Sequence, residues 1–161
     1  MSQTENQRRD ILVIGYGNTL RSDDGVGPGV ADAVSALNLP GVRVITCHQL
    51  TPELASDVSQ TREVIFVDAS VEPVPRLQMR RLEPAAASQI LAHAADPKTL
   101  LALARDVFGH CPTAWWLTIP IRNMDFGERL SDEAAEGLRA AVRMIETLAA
   151  DCPAGAKYAK T

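Results

Sequence analysis

Apolar residues along this chain form two patterns that alternate from one end to the other. The run at 11–15 is continuous and rich in β-branched residues, which is typical of a strand buried on both faces of a sheet, and 64–68 is a second buried strand. Segments 42–46 and 115–121 are interpreted as further strands. Segment 76–82 is more polar and lies between prolines, so it is expected at an edge of the sheet.

Helical spacing of apolar residues predicts four helices between and after these strands. One follows the first strand, and one at 52–58 is opened by a proline with an acidic residue in its first turn. A third spans 97–108 and stops at Gly109, and the last is capped at 131–133. The expected buried positions are Val26, Val30, Val34, Leu37, Leu100, Leu101, Ala104, Phe108, Leu138, Val142, Ile145 and Leu148.

This alternation indicates βαβ units and therefore an α/β fold. We expect a three-layer α/β/α sandwich with a mainly parallel sheet and one antiparallel edge strand. A single domain should occupy residues 10–152, with disordered tails at 1–9 and 153–161. Ligands of such folds bind beyond the carboxyl ends of the strands, so that rim is where functional residues are expected.

Composition and charge indicate the size of the domain, the partners it can attract and the compartment in which it folds. The chain has 161 residues, 46% hydrophobic and 22% charged, which fits one domain with a real core. Its net charge of −4 offers no general attraction to nucleic acid or to anionic lipid. No segment approaches the roughly 20 apolar residues of a membrane span. The three cysteines include no Cys-x-x-Cys pair, which favours a reducing cytoplasm over a disulfide framework.

Two carboxylates are expected at the carboxyl rim. Asp24 follows the first strand, Asp68 ends the third, and His93 lies in an irregular segment from which it can reach the same rim. Two carboxylates and an imidazole form a mixed oxygen and nitrogen site that suits nickel or zinc better than calcium. Each residue also has an ordinary explanation: the Asp23–Asp24 pair can stabilise a helix N-terminus, Asp68 can cap a loop, and His93 can be a surface histidine.

Other polar residues are weaker candidates. His48 and the adjacent His110 and Cys111 are potential ligands or a nucleophile pair, although loop positions explain them equally well. Trp115 and Trp116 should face opposite sides of their strand, one in the core and the other covering a helix or lining a groove.

The opening motif carries a family resemblance. Gly15-Tyr16-Gly17-Asn18, followed by Asp23-Asp24-Gly25, resembles the first motif of the hydrogenase maturation proteases, nickel-sensing endopeptidases that trim the large subunit of NiFe hydrogenases. Further matches lie around Asp68 and His93, so the resemblance covers most of the chain. Supporting matches are residues 48–54, 96–97, 100–101, 127 and 130–131. Several family members instead carry an Asp-Gly-Gly-Thr-like turn where this chain has residues 47–51.

The resemblance implies a function and a site. Asp24, Asp68 and His93 would be the catalytic and metal-binding residues, with Asp23 as the alternative first ligand and His48 as a secondary candidate. The enzyme would remove the C-terminal extension of the hydrogenase large-subunit precursor after nickel insertion. The nickel would arrive with that substrate, and zinc or cadmium would replace it in the isolated protein. No Ser-His-Asp or Cys-His set lies at matching positions, so attack by water is favoured.

Two other classes share parts of the pattern. A dinucleotide-binding module would need a third glycine where Leu20 stands, and an acidic residue after strand two, where Thr46-Cys47-His48 lies. A phosphoacceptor receiver domain, the principal alternative, also has an acidic pair after strand one and an aspartate after strand three. It normally has a lysine before a proline after its last strand, whereas this chain has Ile119-Pro120.

Overall fold

The computed structural model describes residues 9–72, 76–86 and 96–151. The strands in this part of the chain are β1 (Arg9–Tyr16), β2 (Val42–Cys47), β3 (Thr61–Ser70), β4 (Gln78–Leu82) and β5 (Thr113–Pro120). The helices are α1 (Val26–Ala36), α2 (Leu54–Ser59), α3 (Pro97–Phe108) and α4 (Asp132–Asp151), and a short 3₁₀ turn, Ser22–Gly25, precedes α1.

The described strands form a five-stranded sheet in the order β2-β1-β3-β5-β4. All neighbouring pairs are parallel except β4 with β5, where Gln78 lies opposite Thr118 in an antiparallel register. Strand β4 therefore forms the antiparallel edge that the sequence predicted at 76–82. A doubly wound receiver orders its strands 2-1-3-4-5, so the antiparallel strand outside β5 separates this fold from that alternative.

Helices cover both faces of the sheet and confirm the three-layer prediction. Helices α1 and α4 cover one face, where Val13, Val67 and Ile145 are fully buried. Helices α2 and α3 cover the other face, where Leu12 and Phe66 are fully buried. Consecutive strand residues thus enter different halves of the core, as alternation along a strand requires. Trp115 and Trp116 accordingly pack in opposite halves, as predicted.

Some element bounds differ from the sequence expectations. Helix α2 begins at Leu54 rather than at the proline, because residues 51–54 form a turn in which the Leu54 N–H bonds to the carbonyl of Thr51. Leu37 follows α1 and is 43% exposed, so it does not extend the buried face of that helix. Strand β3 continues two residues past Asp68, to Ser70. Strand β1 begins at Arg9, and the remainder of both predicted tails lies outside the described residues.

Close packing at the start of α1 defines the functional end of the sheet. A Cβ atom at Gly27 would collide with the backbone carbonyl of Tyr16 and would lie 2.7 Å from that of Val67. Only glycine allows the first turn of α1 to pack this closely against β1 and β3. No helix in the described ranges is long and apolar enough to cross a membrane.

Candidate active site

The connection between β1 and α1 folds back on itself and holds Asp24 at the carboxyl rim. Gly17 has φ +150°, and a Cβ atom there would collide with the backbone carbonyl of Asp24. The Asn18 N–H donates to Asp24 Oδ2 at 2.8 Å, and Asn18 Oδ1 accepts from the Leu20 N–H at 3.0 Å. The glycine turn and the asparagine therefore position the Asp24 carboxylate beside the end of β1.

Asp68 lies near the carboxyl end of β3, half-buried on the face that α2 and α3 cover. Tyr16, the last residue of β1, donates its hydroxyl to Asp68 Oδ2 at 3.0 Å. Burial is the main cause that raises the pKa of Asp68 to about 6, the hydrogen bond from Tyr16 opposes it, and the charge of Asp24 raises it further. Burial, followed by the charge of Asp68, raises the pKa of Tyr16, so its hydroxyl remains a donor at neutral pH.

The structure brings Asp24 and Asp68 to the same rim. Asp24 is held beside the end of β1 by the Asn18 N–H, Asp68 is held by the Tyr16 hydroxyl from the last residue of β1, and the charge of Asp24 contributes to the raised pKa of Asp68. Asp96 caps the N-terminus of α3, where its side chain accepts from the Lys98 N–H, and its charge also acts on Tyr16. The charge of Asp96 thus adds to that of Asp68 in raising the pKa of Tyr16.

Asp23 has a different role from its neighbour. Its side chain is fully buried and accepts four hydrogen bonds, from the N–H groups of Arg122, Asn123 and Ser131 and from the Ser131 hydroxyl. Burial raises the pKa of this carboxyl group, but the hydrogen bonds, led by that from the Ser131 N–H, outweigh it and lower the pKa. Both Asp23 oxygens are engaged, which leaves Asp24 as the member of the pair that faces the site.

The two candidate histidines are placed differently. His48 directly follows β2, is exposed, and lies at the carboxyl rim because the Gly17 N–H bonds to the carbonyl of the preceding Cys47. His93 lies outside the described residues. Among residues 9–72, 76–86 and 96–151, no three His, Cys, Asp or Glu side chains form a group that could hold a metal ion.

The remaining nucleophile candidates lie at the other end of the sheet. His110 and Cys111 precede β5, and His110 Nε2 is 2.9 Å from the carbonyl oxygen of Thr61, the first residue of β3. Both residues are therefore at the amino rim, away from Asp68. Burial raises the pKa of Cys111 and of Cys47, so neither thiol is activated as a thiolate.

Two residues of this region were not recognised as functional candidates in the sequence. The sequence motifs indicate no role for Tyr16, although strand alternation and parallel pairing place it on the same sheet face as Asp68. Ser131 was predicted as a helix cap, and its bonds to Asp23 depend on a contact between residues 108 positions apart, which no local pattern reveals.

No protein-family model and no curated protein matches the chain. Among solved structures, a hydrogenase 2 maturation peptidase from a Thaumarchaeota archaeon is 28% identical, with a TM-score of 0.66 over 86% of this chain and 97% of its own. The hydrogenase maturation protease HycI of Thermococcus kodakarensis is 18% identical, with a TM-score of 0.67 over 88% and 91%. The endopeptidase HybD of E. coli is 16% identical, with a TM-score of 0.69 over 88% and 93%.

The order of the strands and the antiparallel edge strand β4 distinguish this fold from that of a receiver domain. The two less similar structures share the fold, and the Thaumarchaeota peptidase extends the likeness to the sequence over nearly its whole length. The chain therefore has the fold of the hydrogenase maturation proteases, and its sequence is similar to that of the Thaumarchaeota peptidase.

Proposed function

We propose that this protein removes the C-terminal extension of a NiFe hydrogenase large-subunit precursor after nickel insertion. The observation that carries the proposal is the placement of Asp24 and Asp68 at the carboxyl rim of the sheet, where Asn18 and Tyr16 hold the two carboxylates by hydrogen bonds. The neighbours named as NiFe hydrogenase maturation proteases supply the substrate class. The reaction would take place in the cytoplasm, without a role for nucleic acid or for membrane insertion.

The nickel on the precursor would be recognised by Asp24, Asp68 and His93. Two carboxylates at one rim would be stabilised by a divalent cation between them, and the Tyr16 hydroxyl orients the Asp68 carboxylate through its hydrogen bond to Oδ2. His93 lies three positions before Asp96 in the sequence, and Asp96 caps the start of α3. Three such ligands hold a free ion weakly, so strong binding would require the cysteines of the precursor as well.

Water is the proposed nucleophile. The two thiols in the described part of the chain have raised pKa values, and Cys111 lies at the opposite rim. The nickel of the precursor would then act in one of two ways, either as a mark of the loaded substrate or as a Lewis acid that polarises the scissile carbonyl. In both cases Asp68 contributes a ligand and a negative charge, and Tyr16 holds the orientation of its carboxylate.

Mass spectrometry of C-terminal trimming tests this function and separates the two roles. Nickel-loaded and nickel-free precursor are incubated with the unmodified protein, Asp68→Asn and His93→Ala, with Asp32→Asn as an exposed control on α1. The unmodified protein and the control should trim only the loaded precursor. Trimming that persists in Asp68→Asn but no longer depends on nickel would indicate recognition, whereas loss of all trimming would indicate catalysis by the metal.

Two results would contradict the proposal. Equal trimming of nickel-free precursor by the unmodified protein would exclude nickel gating. Full activity and full nickel dependence in both Asp68→Asn and His93→Ala would remove the proposed site.

A further inference from the structure

Two large apolar side chains are exposed in loops that follow the carboxyl ends of β1 and β5. Phe126, in the loop between β5 and α4, is 89% exposed, and Leu20, in the β1–α1 connection, is 52% exposed. Their loops are joined by the Gly127 N–H, which donates to the Leu20 carbonyl at 2.9 Å, and by the Ser22 N–H, which donates to the Gly127 carbonyl at 2.8 Å. We call this pair the Leu20–Phe126 lip.

The lip is held in place by polar contacts. The buried carboxylate of Asp23 accepts hydrogen bonds from the backbone of residues 122, 123 and 131, and the Ser22 hydroxyl donates to the Asp125 carbonyl at 2.7 Å. The loop that carries Phe126 is therefore tied to the β1–α1 connection immediately before and after this residue. An aromatic ring presented on a preorganised backbone binds a partner at a low entropic cost.

The lip is connected to the segment that carries the Asp24 carboxylate. Leu20 lies in the chain between Asn18 and Asp24, which are themselves joined by a hydrogen bond, so the lip and the Asp24 carboxylate belong to one folded connection. The loop after β5 leaves the same carboxyl rim at which β3 carries Asp68. A polypeptide whose scissile bond lies at Asp24 and Asp68 must therefore leave the site past the surrounding rim loops, of which the lip is one.

We propose that the Leu20–Phe126 lip is a docking surface for an apolar segment of the protein substrate, an inference that rests on the proposed endopeptidase function. Exposed aromatic residues dominate protein interfaces because they bury a large apolar area with few rotatable bonds. A second copy of this chain is the competing occupant. It would cover the connection that carries Asp24 and so obstruct the site, which favours the substrate.

Direct binding and kinetics test the lip. Affinity for nickel-loaded precursor is measured by biolayer interferometry for the unmodified full-length protein, Phe126→Ala, Phe126→Leu and Leu20→Ala. We expect Phe126→Ala to raise Kd about tenfold or more, with a smaller rise for Phe126→Leu, which keeps an apolar side chain. In the trimming assay KM should rise in parallel while kcat at saturating precursor stays unchanged.

Phe108→Ala is the matched control. Phe108 is 49% exposed at the end of α3, which leads into the start of β5 and therefore lies at the amino rim. This variant loses the same aromatic ring but should keep the Kd of the unmodified protein. Thermal denaturation of all variants checks that their folds are intact.

The possible outcomes distinguish a failure of the docking inference from a failure of the proposed endopeptidase function. An unchanged Kd in Phe126→Ala, or no binding of precursor by the unmodified protein, would overturn the docking inference. Self-association of the unmodified protein that Phe126→Ala abolishes in sedimentation, without a change in precursor affinity, would assign the lip to a second copy and overturn it as well. Binding that depends on Phe126 without any trimming would support the lip and contradict the endopeptidase function.

Discussion

Ser131 donates both its backbone N–H and its hydroxyl group to the carboxylate of Asp23, a residue 108 positions earlier in the chain, at 2.7 and 2.8 Å. The same hydroxyl oxygen accepts from the Ala134 N–H at 3.2 Å and so caps the first turn of α4. One serine thus joins the start of the last helix to the connection that carries Asp24. The connection that carries Asp24, near the start of the chain, is therefore stabilised by contacts with the segment that precedes the last helix.

Removal of the Asp23 carboxylate should destabilise the protein strongly. Asp23→Ala leaves four donors without their acceptor, and we expect a loss of at least about 3 kcal/mol in the free energy of unfolding. Asp23→Asn keeps one acceptor oxygen and should cost less. Urea denaturation at pH 7 provides the measurement, with exposed Glu136→Ala on α4 as a control that should stay within about 0.5 kcal/mol. A cost for Asp23→Ala no larger than that of the control would show that these bonds do not stabilise the loops.

Local sequence signals predicted α3 to its exact bounds. Asp96 caps its start, Pro97 occupies its first position, and Gly109 ends it with φ +78°, so each end depends only on its immediate neighbours. The choice between Asp23 and Asp24 could not be made in this way. The donors that bury Asp23 come from residues 122–131, and two adjacent aspartates have the same local chemistry until the chain has folded.

Strand alternation predicted the sheet faces but not the partner of Asp68. The faces of Trp115 and Trp116 follow from the pleat alone. The contact between Tyr16 and Asp68 also requires that β1 and β3 be neighbours with a particular register, which is a property of the topology. The positions of Asp24 and Asp68 after parallel strands predicted their shared rim, whereas the roles expected of them came from the resemblance to a family, because the residues alone also had ordinary explanations.

Asp68→Asn should raise stability at neutral pH while leaving it unchanged in acid. The native pKa of Asp68 is about 6 against an ordinary value of 3.8, so the folded protein binds this proton more tightly than the unfolded chain does. The protonated Asp68 carboxyl group therefore contributes fully to the free energy of unfolding below pH 3.8, and this contribution is lost as the pH rises through about 6. The neutral amide avoids that loss and still accepts from the Tyr16 hydroxyl. We expect a gain of about 1–2 kcal/mol at pH 7.5, after allowance for screening by solvent.

Urea denaturation in the presence of a chelator, at pH 4 and at pH 7.5, measures this difference. Exposed Asp32→Asn removes the same charge from α1 and should show no comparable change between the two pH values. If Asp68→Asn raised the free energy of unfolding by the same amount at both pH values, the result would contradict a destabilisation that depends on ionisation of the buried carboxyl group.

Gly17→Ala should disturb the position of Asp24 as well as the stability of the fold. The added Cβ would collide with the Asp24 backbone carbonyl in a conformation, φ +150°, that alanine adopts poorly. We expect a loss of about 2–4 kcal/mol and of most trimming activity. Gly109→Ala separates the effect of backbone strain from that of the collision. Gly109 also has a positive φ, +78°, but its added Cβ would meet no atom within 4 Å. That control should cost about 1 kcal/mol and retain activity. Equal effects of the two substitutions would show that the collision with Asp24 contributes nothing.

Replacement of Cys47, Cys111 and Cys152 together by serine should leave processing of the precursor largely intact. Burial raises the pKa of Cys47 and Cys111, which disfavours the thiolate that a nucleophile would need, and His110 beside Cys111 is engaged with the carbonyl of Thr61 at the rim opposite to Asp68. The comparison is the rate of C-terminal trimming of nickel-loaded precursor, with far-ultraviolet circular dichroism and precursor affinity confirming an intact fold. Cys111→Ser alone is the decisive single variant. If it abolished cleavage while fold and affinity were preserved, the nucleophile would be a thiol rather than water.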